Sequence, residues 1–117
     1  MKHVYYLGTC TTCKRIMEDL GPLIADFERQ DIKTNPMTLE QIDQMKDLSG
    51  SYESLFSRKA MKYRSMGLGE EHLNEEDYRS LIHQEYTFLK RPVFIVDDAI
   101  FVGNSKKIIA ALTQHLS

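Results

Sequence analysis

The stretch YLGTCTTCKRIMEDL, Tyr6 to Leu20, sets two cysteines three residues apart where an apolar run gives way to a helical pattern. Before it, His3 to Leu7 is rich in Val and Tyr and predicts a short strand, ended by Gly8 and Thr9. After it, Ile16, Met17 and Leu20 recur at helical spacing over Thr11 to Leu20, and Gly21-Pro22 stops the helix. A strand running straight into a helix puts Cys10 at the loop-to-helix junction and Cys13 within the first turn. A sulfur at that junction faces unpaired backbone N–H groups and the positive end of the helix dipole, both of which favour the thiolate. Cys10 is therefore the candidate nucleophile. Cys13, more deeply placed, is the candidate resolving thiol that would attack a mixed disulfide on Cys10. Lys14 and Arg15 add positive charge nearby.

Other roles for the pair can be weighed on the same residues. A structural zinc needs about four ligands, and His3, His72, His83 and His115 are scattered; haem attachment needs a histidine where this chain has Lys14. No metal is implied. Simple packing of both thiols stays the alternative, because CxxC takes its meaning from the strand before and the helix after it. These are the only cysteines, and a chain of this size in a reducing compartment needs no structural disulfide.

Outward from this stretch, Leu23, Ala25 and Phe27 alternate with Asp26 and Glu28 and predict a second strand. Thr38 begins a helix with Leu39, Ile42, Met45 and Leu48 on one face, closed by Ser49-Gly50-Ser51. Tyr52 to Met66 reads as one or two short helices, and Asn74 caps a longer one that carries Tyr78, Leu81, Ile82 and Tyr86 inward. Val93 to Val96 and Ala99 to Val102, joined by Asp97-Asp98, form an antiparallel hairpin. Gly103-Asn104-Ser105 leads to a last helix with Ile108, Ile109 and Leu112 packed inward. The order β-α-β, helical insert, β-β-α predicts an α/β domain: a mixed four-stranded sheet with flanking helices, in the thioredoxin-like (glutaredoxin-like) order. Residues 1–117 are expected to form a single domain, with the insert at about 38–89.

Composition bounds the function. Hydrophobic residues make up 42% and charged residues 27%, with a formal net charge of −2, the balance of a globular protein with no bias towards nucleic acid. No apolar run approaches the roughly 18 residues of a membrane span, and Met1 to Leu20 lacks a signal-peptide core. The expected location is the cytoplasm.

With LGTCTTCK at the front, Ser57-Arg58-Lys59 after the second helix, and LKRPVFIVDDAIFVGNSKKI at the back, the chain resembles the arsenate reductase (ArsC) family of thioredoxin-like proteins. That family includes the glutaredoxin-coupled arsenate reductases and the Spx regulators. The resemblance implies that Cys10 matches the catalytic cysteine, that Arg58 matches an arginine of the insert, and that Arg91 matches the arginine preceding a cis-proline, here Pro92. Guanidinium groups at such positions would steady a thiolate and clamp an oxyanion or carboxylate, and Pro92 would leave a backbone edge for a substrate peptide; a small oxyanion or a disulfide is the implied substrate. Glutathione, a glutaredoxin or thioredoxin is the implied reductant, with no bound cofactor. Two features set the chain nearer the CxxC-bearing, Spx-like members: Cys13 supplies an internal resolving thiol, and Gly103 stands where arsenate reductases carry a third arginine. The Spx likeness implies a second role, a redox-sensing regulator that binds the C-terminal domain of the RNA polymerase α subunit. Gly50, present in both branches, does not discriminate.

Overall fold

The computed structural model describes residues 1–117. Four strands, β1 (Lys2–Tyr6), β2 (Glu28–Asp31), β3 (Val93–Val96) and β4 (Ala99–Val102), form one mixed sheet in the order β2-β1-β3-β4. β1 runs parallel to β2 and antiparallel to β3, and β3 is antiparallel to β4. The helices are α1 (Thr11–Leu20), α2 (Leu39–Ser49), α3 (Met61–Ser65), α4 (Glu75–Gln84) and α5 (Lys106–Leu116). The chain divides into two compact units, Met1–Asn35 with Arg91–Ser117, and Pro36–Lys90.

The first unit holds the sheet, α1 and α5. Strand alternation aligns Val4 with Phe94 and Phe94 with Phe101 on one face. Onto that face α1 sends Ile16, Met17 and Leu20, and α5 sends Leu112, with Ile109 and Leu116 partly buried. Ile24 and Phe27 complete the cluster. Here the expectation of a strand over Leu23–Phe27 is corrected: Gly21–Ile24 is a 3-10 turn, and β2 begins only at Glu28. Pro22 presets the turn, and Ile24 and Phe27, three apart, both drop into the core. β2 itself reads ERQD, a charged edge strand whose one buried side chain, Gln30, bonds His3 at 3.0 Å and donates to the Asn35 carbonyl at 2.9 Å.

The second unit holds α2, α3 and α4. Thr38 and Asn74 each close a capping box, with Gln41 and Asp77 as reciprocal partners. α2 ends on Gly50 at φ 100°, a left-handed position suited to glycine. Arg79 grips Asp43 through two bonds of 2.8 and 3.1 Å and so ties α4 to α2; Tyr52 Oη donates to the same carboxylate at 2.6 Å. Phe56 stacks on Phe88 with centroids 5.0 Å apart and tilts against Tyr78. The sequence reading placed Tyr86 on the helix before the hairpin, but α4 stops at Gln84, Glu85 turns extended (φ −138°, ψ 109°), and a 3-10 turn follows. That turn delivers Phe88, fully buried, to the aromatic stack.

Candidate active site

The sheet register brings three chain segments to one end of the first unit. Tyr5 pairs with Val93, and Val93 with Val102, so the exit of β1, the entry of β3 and the exit of β4 lie side by side. Cys10 follows the first, Arg91-Pro92 precedes the second, and Gly103 follows the third. The Arg91–Pro92 peptide bond is cis, and the Pro92 carbonyl accepts a bond from the Gly103 N–H at 2.9 Å. Gly103 has φ 92°, a region costly for a side chain such as arginine, which gives a backbone reason for glycine at this position.

Cys10 is the N-cap residue of α1 with extended backbone (φ −89°, ψ 112°); its N–H donates to the Leu7 carbonyl at 3.0 Å and its carbonyl accepts from Lys14 N–H at 3.2 Å. The loop reaches this cap through Gly8, where a Cβ would run into the Asp31 carboxylate. Cys10 is half-buried and Cys13 has no exposed surface; both are reduced. Burial by itself would raise the Cys10 pKa. Against it act the backbone N–H and thiol of Cys13, the N–H of Thr12 and the charge of Arg91, and the net displacement is downward. Cys13 goes the other way. Burial pushes its thiol up to about 11, and its hydrogen bond to a Cys10 thiolate holds the proton further. The pair can therefore hold one proton between two sulfurs, with Cys10 as the anion and Cys13 as the donor.

The sequence-predicted residues are thus distributed between the two units. Cys10, Cys13, Arg91 and Pro92 meet at one end of the sheet in the first. Arg58 lies in the second, where its Nη2 donates to Glu53 at 2.8 Å and to Tyr78 Oη at 2.9 Å. Those partners stand five and twenty residues away in sequence, beyond the reach of any local pattern. Lys14 and Arg15 are exposed. No group of three or more His, Cys, Asp or Glu side chains gathers to hold a metal ion, and no helix is long and apolar enough to cross a membrane.

Strand order, helix placement and a helix-capping CxxC together define a thioredoxin-like fold with a thiol site, and known proteins share it. The model of the ArsC family matches residues 5–112. The chain belongs to the ArsC family, a family of thiol redox proteins. Among curated proteins it is similar to the global transcriptional regulator Spx of Lactiplantibacillus plantarum, 23% identical over 101 residues that cover 86% of this chain and 76% of that one. Among solved structures, a putative ArsC family related protein from Bacteroides fragilis superposes with a TM-score of 0.81 at 18% identity, covering 99% and 97% of the two chains. A possible arsenate reductase from Streptococcus mutans gives 0.73 at 26% identity, covering 91% and 92%.

Proposed function

We infer that the protein is a cytoplasmic thiol–disulfide redox protein, a single thioredoxin-like domain that cycles between the Cys10, Cys13 dithiol and a disulfide joining them. The observation that carries this reading is the split between the two thiols: a half-buried Cys10 with a lowered pKa on the helix cap, and a fully buried Cys13 that keeps its proton. The Cys10 thiolate attacks one sulfur of an oxidised substrate, forms a mixed disulfide and expels the other sulfur as a thiolate. Cys13 then gives its proton to solvent and attacks Cys10 Sγ, which breaks the mixed bond and releases the second thiolate. Two electrons pass to the substrate. An external thiol, glutathione, a glutaredoxin or thioredoxin, returns them to the dithiol.

In this reading Arg91 steadies the thiolate and an anionic group of the substrate, and Pro92 offers backbone to it. A disulfide substrate fits better than an arsenate-like oxyanion, since Gly103 replaces one clamp. Cys10→Ser is expected to abolish thiol-linked turnover, and Cys13→Ser to leave glutathione-assisted activity; equal, full activity in both variants would remove the assigned roles. A second reading is favoured by the likeness to Spx: the disulfide as a switch controlling contact with the RNA polymerase α subunit. Co-purification with the α C-terminal domain that changes on oxidation supports it, and no complex in either redox state ends it.

A further inference from the structure

The end of the first unit that carries Cys10 is basic, and the fold gives no structural use to that charge. Lys14 and Arg15 lie in the first turns of α1, and Lys106 and Lys107 open α5; all four are exposed. None is ion-paired. Neither helix has an acid in its first turn, whereas α2 begins with Glu40 and α4 with Glu75, Glu76 and Asp77. α2 and α4 follow the usual rule that acids sit at the positive end of a helix, and α1 and α5 reverse it. Because β1 and β4 are parallel, both basic helix starts lie at the same end of the sheet and on the same face.

Between α1 and α5 runs an open groove of about 550 Å³. Its floor includes Ile16 and Ile109, its rim Arg15 and Lys106, and Asp19 and Thr113 lie further along. Lys106 to Thr113 spans two helical turns, about 10 Å, the length of roughly three extended residues. A small anion would leave most of that length empty. A nucleic acid would set phosphates against Asp19 and an apolar floor.

We propose that this groove docks an acidic polypeptide segment carrying an apolar side chain, and that the oxidised partner of Cys10 is presented by such a segment. The second half of this proposal rests on Cys10 being the reacting thiol; the first half does not. Acidic residues meet Arg15 and Lys106 at the rim, and the apolar side chain meets Ile16 and Ile109.

The test uses the intact protein and two short dye-labelled peptides, one rich in Glu and one rich in Lys, each with a single Leu. Each peptide is made with a central Ser, to read docking by anisotropy, and with a central Cys as its thionitrobenzoate mixed disulfide, to read transfer to Cys10. A preference for the acidic peptide of about tenfold or more is expected at ~0.01 M salt, disappearing near ~1 M salt, where screening shortens to about 3 Å. The preference is expected to vanish in Arg15→Gln with Lys106→Glu, whose folding is checked by circular dichroism; Glu suits the start of a helix. Equal binding of the two peptides, a preference that survives the double substitution, or tighter binding of an oligothymidylate of equal charge overturns the proposal. If the Ser peptides behave as expected and the mixed disulfides are inert, docking stands and the redox reading falls. If both mixed disulfides react at one rate, the redox reading stands and docking falls.

Discussion

Cys13 has no exposed surface and its thiol is pushed up to about 11, whereas Cys10, three residues earlier, is lowered from its ordinary value of 9.0. Opposite pH trends follow. The lowered Cys10 stabilises the reduced fold above its unfolded pKa, and that contribution is lost as pH falls through the folded value. The raised Cys13 acts in reverse: its contribution is present below pH 9 and is lost as pH rises through about 11. Iodoacetamide labelling followed by mass spectrometry is expected to modify Cys10 with a midpoint below 9 and to leave Cys13 protected in the native state. Arg91→Met removes the charge that helps to lower Cys10, so its labelling midpoint should move upward; an unchanged midpoint would show that the hydrogen bonds from Cys13 and Thr12 alone set the acidity. The cap was legible in the sequence because a strand, a glycine and an amphipathic helix bracket it. The burial of Cys13 was legible too, from its place within the first turn of the helix. The contacts of Gly8 with Asp31 and of Gly103 with Pro92 were not, since each joins segments remote in sequence.

At the scale of elements, the helix ends that carry sharp capping signals were read from the sequence to within a residue. Thr38 and Asn74 are observed N-caps, and Gly50 is an observed left-handed C-cap. Thr38→Ala and Asn74→Ala are each expected to cost about 1 kcal/mol in chemical unfolding. Leu112, with no exposed surface, carries the contact of α5 with the sheet cluster, and Leu112→Ala should cost about 2–5 kcal/mol by the same measurement. The elements misread are those whose side chains do not follow their own backbone period. β2 is polar because it is an edge, so no alternation marked it, while the apolar residues just before it belong to a turn. The bidentate pair between α4 and α2 was equally hidden, with Asp43 and Arg79 thirty-six residues apart. Arg79, followed by Tyr52, holds the Asp43 carboxyl down to about 2. Its contribution is present above the ordinary 3.8 and lost as pH falls through about 2. An acid titration of Asp43→Asn is expected to lack that component of the stability profile.

For the molecule as a whole, connectivity matters more than any one contact. The first unit is assembled from both ends of the chain, and the second from one continuous segment. A chain stopped at Lys90 lacks β3, β4 and α5, so β1 keeps only its charged neighbour β2 and the core cluster loses Phe94, Val96 and Leu112. Such a truncation is expected to show no dispersed amide signals from residues 1–35 in a two-dimensional NMR spectrum. The same connectivity orders events during synthesis. Residues 10 to 13 leave the ribosome early, yet β3, the central strand against which β1 packs, is made about eighty residues later; at roughly 5–20 residues per second the delay is about 4 to 16 seconds. Through that interval the sulfur that ends fully enclosed is as open to oxidants as its neighbour. The newborn chain thus passes through a window in which either cysteine can be captured by a stray disulfide, and closure of the sheet is the moment at which the protein is left with a single accessible thiol.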